Sequence, residues 1–220
     1  MSGAVSLDEL LAAHAAGRLP PPLSLAVATH LALCPPSRER YRSLETVGGV
    51  LLDRLEPVPL ASDAWDRLCA RLEEKPRERI EVPRAQPLPA CPLHRIPQPL
   101  RDLLPASLDE LRWRRLGHAA AAELDTVPDG GYRTTLIRVD AGRRFPRHTH
   151  GGLELILVLE GGFRDESGRY RRGDLQIADA SVEHQPIAEE GEDWLWLRVL
   201  DAPLRRTGAF GRLVDHFRGL

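Results

Sequence analysis

The first third of the chain places apolar residues at three- and four-residue intervals, which is the period of an α-helix. Helices are predicted over residues 6–17, 23–34, 37–55 and 62–74. The first opens with the capping-box pattern S-x-x-E and ends at a glycine. The second is apolar nearly all round, which is typical of a helix buried among other elements. This region is therefore predicted to form a small helical bundle.

The hydrophobic pattern is interrupted by proline after the fourth helix. Residues 77–104 hold six of the 19 prolines of the chain, and this density favours extended, semi-rigid backbone over long helices. The segment is interpreted as a linker between a helical domain, residues 1–76, and a second domain, residues 105–220.

The second domain contains short β-rich runs bounded by glycines. The runs are Leu111–Leu116, Tyr132–Val139, Leu153–Leu159 and Trp194–Leu200. Several short strands with tight turns are typical of a barrel or jelly roll. The predicted fold class is α + β with two domains, and Trp194 and Trp196 are interpreted as core residues on one face of the last strand.

Composition excludes several functional classes. Hydrophobic residues make up 42% of the chain, charged residues 28%, and the formal net charge is −2, so nothing favours direct nucleic-acid binding or a membrane surface. No stretch approaches the roughly 20 apolar residues of a membrane helix, and the amino terminus lacks a signal-peptide pattern. The three cysteines are too scattered for a disulfide framework. A cytoplasmic protein with no membrane partner is expected.

The strongest chemical signal lies between residues 142 and 161. His148 and His150 are two apart, so on a strand both leave the same face, and Glu154 has the same parity. His184 follows a second strand-like run and supplies a fourth candidate ligand. Imidazole nitrogen and carboxylate oxygen suit a divalent metal such as zinc, iron or manganese.

The spacing of these residues resembles the two sequence motifs of the cupin family. The first motif is matched by Gly142, His148, His150, Glu154 and Gly161. The second is matched by Gly173 and His184, with Asp179 where proline is usual and Ser181 where glycine is usual. Both departures concern the geometry of a turn. The resemblance implies a cupin β-barrel with a metal site at His148, His150, Glu154 and His184.

The helical region resembles the amino-terminal domain of ChrR-like anti-sigma factors, which also end in a cupin. The resemblance rests on L-A-A-H-A-A-G-R-L, S-L-A-V-A-T-H-L-A-L-C and V-G-G. Members of this family bind zinc in that domain, but this chain has Ser37 and Val5 where two of the ligands are expected. Only His30 and Cys34 remain, and two ligands seldom hold a structural zinc. Zinc is therefore not expected there, with His14 the first candidate should another ligand be needed.

The resemblance implies a regulatory function. The helical domain would sequester an extracytoplasmic-function sigma factor, and the metal-binding cupin, with zinc the favoured ion, would modulate release under oxidative stress such as singlet oxygen or organic peroxide. Family members often carry cysteines at positions 194 and 196, where this chain has tryptophans.

Two other functions remain open at this point. A site of three histidines and one glutamate could serve a metalloenzyme of the dioxygenase or isomerase type, and a metal-stabilised binding module is a third reading. The helical domain and its linker favour the regulator, because an enzyme would not need them.

Overall fold

Four helices precede a β-rich region. A computed structural model describes residues 5–73, 95–125, 127–128, 130–202 and 204–206. The helices are α1 (Leu7–Ala15), α2 (Pro21–Leu33), α3 (Pro35–Asp53) and α4 (Ala64–Glu73). The strands are β1 (Arg114–Leu116), β2 (Ala119–Glu123), β3 (Arg133–Val139), β4 (His148–Thr149), β5 (Glu154–Glu160), β6 (Gly162–Asp165), β7 (Gly168–Arg171), β8 (Leu175–Ala178), β9 (Glu183–His184), β10 (Ile187–Ala188), β11 (Trp194–Leu200) and β12 (Arg205–Arg206).

The predicted helix boundaries are confirmed for α1 and corrected for α2 and α3. Ser6 Oγ accepts from the backbone N–H of Glu9, and the Glu9 carboxylate accepts from the backbone N–H of Ser6. Helices α2 and α3 each start two residues earlier than predicted, at Pro21 and Pro35. Proline suits the first helical turn because its missing N–H would have no partner there.

The strands form three antiparallel sheets. The largest has the order β1-β2-β3-β11-β5-β8, and the smaller ones have the orders β10-β6-β7 and β12-β4-β9. Among the described residues these sheets do not join into one closed barrel, so the fold is cupin-like without the predicted closure. Of the predicted strand 111–116, only Arg114–Leu116 is a strand.

The outer face of the six-stranded sheet packs against the helices. Leu155, Leu157, Leu195 and Leu197 share one apolar cluster with residues of α1 and α2. Helix α2 is buried over most of its surface, as predicted, but its partner includes the sheet as well as the other helices. Ile96 and Leu100 of the segment interpreted as a linker lie in the same cluster.

The inner face of this sheet packs against the two smaller sheets. Ile156, Val158, Trp194 and Trp196 form a second apolar cluster there, together with residues such as Phe163. The two indole rings are stacked with centroids 3.6 Å apart, which confirms their interpretation as core residues. Because β5 and β11 are buried on both faces, their sequences are nearly continuous in apolar residues.

The second half of α3 and all of α4 contrast with this packing. No residue of α4 is buried, and Ser37 is the one buried residue of α3. The predicted bundle is therefore made by α1, α2 and the first half of α3. Within the described ranges, no helix has the length and apolar character required to cross a membrane.

Replacing Leu11 with alanine is expected to lower the free energy of unfolding by about 2–5 kcal/mol, because the side chain is fully buried in the cluster between helices and sheet. Leu52→Ala is the matched control, since Leu52 is 67% exposed, and should cost less than about 0.5 kcal/mol. Urea denaturation measures both. Equal effects would contradict the assignment of this cluster as the core.

Candidate metal centre

Three short elements bring the four predicted ligands together. His148 lies in β4, directly opposite His184 in β9. His150 follows β4, and Glu154 begins β5 on the inner face of the large sheet. One potential ligand atom from each residue lies within 4.8 Å of all the others, and all four residues are buried. Within the searched, described residues this is the single group of this kind.

Hydrogen bonds fix the orientation of each imidazole. His148 donates its Nδ1–H to the carbonyl of Pro146 over 2.7 Å. His150 Nδ1 lies 3.2 Å from the carbonyls of both Asp179 and Val182. Because a carbonyl oxygen can only accept, Nδ1 carries the hydrogen in both rings, and the Nε2 lone pair is left free for a metal.

His184 is held by a carboxylate instead. Its Nδ1 lies 2.7 Å from Oδ2 of Asp165, whose side chain also accepts from the Ser167 hydroxyl and from Gln176 Nε2. Burial raises the pKa of Asp165, but these hydrogen bonds, led by that of His184, lower it more, and the pKa lies well below its usual value. Asp165 is therefore ionised and keeps the hydrogen of His184 on Nδ1.

The Nε2 atoms of the three histidines and the Glu154 carboxylate carry no hydrogen and lie close to one another. His148 Nε2 and His184 Nε2 are 3.0 Å apart. His150 Nε2 and Glu154 Oε2 are 2.7 Å apart but lack hydrogen-bond geometry, and both are buried without another partner. Facing lone pairs repel each other unless a cation lies between them. The donor set therefore fits a divalent metal, held by three neutral imidazoles and one carboxylate.

The electrostatics of the site favour a positive charge between its ligands. Burial raises the pKa of Glu154, but contacts with His148 and His150 and the charge of Arg198 lower it further, so the pKa lies well below its usual range. Burial lowers the pKa of His150, but the adjacent Glu154 carboxylate and the two carbonyls outweigh it and raise the pKa above its ordinary value. In the absence of metal a proton would thus occupy this site more readily than in free histidine.

The turn before His184 explains the two departures from the cupin motif. Asp179 Oδ1 accepts from the backbone N–H of Ser181 over 2.9 Å and from its hydroxyl over 2.5 Å. This side-chain turn replaces the one that proline and glycine usually form. It also presents the Asp179 carbonyl to His150, so the departures preserve the site.

Asp165 was not identified from the sequence. It lies at the end of β6, in the turn D-E-S-G, where aspartate is ordinarily a turn residue. Its contact with His184 is made between residues 19 apart, so no local signal identifies it.

The amino-terminal candidates form a hydrogen-bond chain. His30 donates Nδ1–H to the carbonyl of Gly173 over 2.7 Å, and Ser37 Oγ lies 2.8 Å from its Nε2. Cys34 donates its thiol to Ser37 Oγ over 3.3 Å. Both ring nitrogens of His30 are engaged, and these residues do not supply the four ligands of a structural zinc site.

Within the part of the sequence that the structure describes, no other histidine or cysteine joins that hydrogen-bond chain. His14 lies within 3.2 Å of Ser24 Oγ and contacts the ring of Tyr41, as a packed helical histidine does. Cys91 and His94 lie outside the described residues.

Purified full-length protein is expected to contain one equivalent of divalent metal. His150→Ala removes a ligand and should weaken metal binding by more than about 10–100-fold, which is the loss expected when only a hydrogen-bond partner of a ligand is removed. His118→Ala is the control, since that side chain is 57% exposed. Elemental analysis and chelator competition measure both. Unchanged metal content in His150→Ala would refute the assignment, and a second equivalent would refute the expectation for His30 and Cys34.

Asp165→Asn should weaken metal binding by about 10–100-fold while leaving the fold intact, because the amide can donate to His184 and stabilise the wrong tautomer. The reference variant is Asp109→Asn, which is exposed in the short 3-10 helix Leu108–Glu110. Wild-type affinity in Asp165→Asn would mean that the carboxylate does not orient His184.

Metal affinity, and with it occupancy, should fall as pH drops, because the pKa of His150 is raised above the ordinary histidine value and protons compete with the metal for Nε2. Dialysis of loaded protein at a series of pH values, followed by metal analysis, measures this. Full occupancy well below pH 5 would contradict the assignment of His150 as a ligand.

Comparisons with known proteins agree with this architecture. Residues 105–200 match the family model of the ChrR cupin-like domain. The chain is 40% identical over 211 residues to the anti-sigma-E factor ChrR of Cereibacter sphaeroides, across 96% of this chain and 95% of that protein. It also resembles the anti-sigma ChrR crystallised in complex with SigE of Rhodobacter sphaeroides, with a TM-score of 0.74, 39% identity, and coverage of 90% of this chain and 98% of the other. The chain therefore belongs to the family of the anti-sigma factor ChrR.

Proposed function

We propose that this protein is an anti-sigma factor that sequesters an extracytoplasmic-function sigma factor. The observation that carries the proposal is an apolar surface on its third and fourth helices, here named the α3–α4 apolar face. Its residues are Val47, Val50, Leu51, Leu52, Leu55, Trp65, Leu68 and Leu72, all exposed. Large apolar side chains exposed in this number on two successive helices are typical of a protein-interaction site.

The relatives support the identity of the partner. Both comparisons that span nearly the whole chain are with the anti-sigma factor ChrR, and one of them was crystallised with SigE. An amphipathic helix that presents its apolar side docks by laying that side against a groove or helix of another protein. The same comparisons favour a regulator over the alternative of a cupin metalloenzyme.

The roles proposed for the three regions of the chain are those expected from the sequence. Residues 1–76 would form the sigma-binding region, residues 77–104 the connection, and residues 105–220 the metal-binding region. The finer fold expected for the last region is a cupin jelly roll. This division leaves the α3–α4 apolar face available to the partner, while α1 and α2 lie against the sheet.

The metal proposed for His148, His150, Glu154 and His184 is zinc, with iron or manganese as alternatives. Support comes from the ligand set, because three neutral imidazoles and a carboxylate match zinc, which prefers four ligands. A bound ion would hold β4, β9 and the start of β5 together. Its loss or replacement under oxidative stress is the proposed signal for release of the sigma factor.

A physical route from the metal region to the helices supports this proposal. The central sheet carries Glu154 on its inner face and the α2 contacts on its outer face. The carbonyl of Gly173, just before β8, accepts from His30 of α2. Gly173 has a φ of 94°, and a Cβ there would lie 3.2 Å from Leu33, so a side chain would disturb this contact.

Trp65→Ala should weaken binding of the cognate sigma factor to the full-length protein by at least about tenfold, because interface tryptophans commonly contribute more than about 1.4 kcal/mol. Trp65 is 71% exposed, so stability should be unaffected. Arg112→Ala, exposed beyond the helices, is the control. Calorimetric titration measures both; loss of affinity in Arg112→Ala with none in Trp65→Ala would refute the proposed surface.

A further inference from the structure

The inner face of the central sheet contains a buried arginine that the proposed function does not use. Arg198 lies on β11 and is 1% exposed. It has the parity of Trp194 and Trp196, so it points into the same interior. Among the described residues its Nε, Nη1 and Nη2 atoms have no hydrogen-bond partner. A buried guanidinium in this state is unfavourable unless an acceptor is supplied.

The groups around Arg198 are also mainly donors. Thr135 lies directly opposite it on β3, and the Oγ1 atom has no partner. The indole nitrogens of Trp194 and Trp196 are buried without an acceptor as well. An indole N–H and a guanidinium can only donate. The Thr135 hydroxyl can accept as well as donate, but one neutral hydroxyl neither satisfies the five N–H groups of the guanidinium nor balances its charge.

The unpartnered acceptors on the same face do not meet that need. Glu154 Oε2 lies against His150 in the metal centre. Gln176 Oε1 has no hydrogen-bond partner either, but Gln176 is on β8, separated from β11 by β5. An acceptor from outside the chain would satisfy the guanidinium and the Thr135 hydroxyl together.

The charges in this interior favour an anion. The proposed divalent metal contributes two positive charges, and Arg198 contributes a third. Glu154 and Asp165 contribute one negative charge each, which leaves one positive charge in excess. Glu123, in the same row across the sheet, is half exposed and already paired with Arg133. One monovalent anion would restore neutrality, and buried charge is tolerated only when it is balanced.

We propose that Arg198, assisted by Thr135, binds a small carboxylate inside the cupin-like region, beside the metal ligands. The planar guanidinium matches the two oxygens of a carboxylate through parallel hydrogen bonds. The ligand is small because Phe145, Phe163 and the two stacked tryptophans fill much of the same interior. The inference rests on the proposed metal for its charge balance.

Metal-loaded full-length protein is titrated with acetate at constant ionic strength set by chloride, and binding is followed by calorimetry and by the acetate-dependent rise in melting temperature. Wild type should bind acetate, and Arg198→Met should bind it at least about tenfold more weakly, the loss expected for a charge-assisted hydrogen bond. Thr135→Val should bind acetate more weakly by a smaller factor. Arg138→Met is the matched control, because Arg138 lies over Trp113 rather than in this interior, and should bind like wild type.

Metal content is measured in every sample, which separates this inference from the proposed metal site. Protein that binds no metal overturns both. Protein that binds metal but not acetate, or an Arg198→Met variant with wild-type acetate affinity, overturns the carboxylate site alone. Tighter binding of phosphate than of acetate overturns the ligand class. Folding of Arg198→Met is expected, since replacing a buried unpaired charge by an apolar side chain removes a desolvation cost.

Discussion

Burial of one antiparallel sheet on both faces is the constraint on which the rest of the structure depends. Alternation along β5 and β11 sends Leu155, Leu157, Leu195 and Leu197 to the helices. The residues between them go to the interior that holds the metal ligands. A change on one face displaces the same backbone that supports the other, because a packed sheet does not deform independently on its two sides. Helices α1 and α2 and the candidate metal ligands are therefore supported by one element.

The candidate metal centre depends on hydrogen bonds made by the ring nitrogens that face away from it. Four acceptors, namely the carbonyls of Pro146, Asp179 and Val182 and the carboxylate of Asp165, fix the same tautomer in three imidazoles. Four ligand atoms are then close together with no proton to separate them. In the amino-terminal helices, by contrast, both ring nitrogens of His30 are hydrogen-bonded, one to the Gly173 carbonyl and one to the Ser37 hydroxyl, so neither is free for a metal.

The parts predicted from sequence are those with local signals. The capping box of α1, the glycine-bounded strands predicted at 132–139 (observed at Arg133–Val139) and 194–200, and the family resemblance are confirmed. The spacing of the four candidate ligands identified residues that do come together. The missed parts depend on contacts distant in sequence. Strand β2 reads A-A-A-A-E, a helix-favouring composition that is overridden by pairing with β3. The surroundings of Asp165 and Arg198 are formed by residues on other strands, so the pattern of residues near them in the sequence does not predict their roles.

The sheet is expected to couple the metal centre to α2, the helix packed on its other face. Hydrogen–deuterium exchange of the full-length protein, before and after removal of its metal, tests this most directly. The account predicts faster exchange in β4 and β9 and in the helix packed on the other side of the sheet, α2 (Pro21–Leu33), with α4 unchanged. Exchange that increases around His148 and His184 but leaves α2 at its original rate would contradict it.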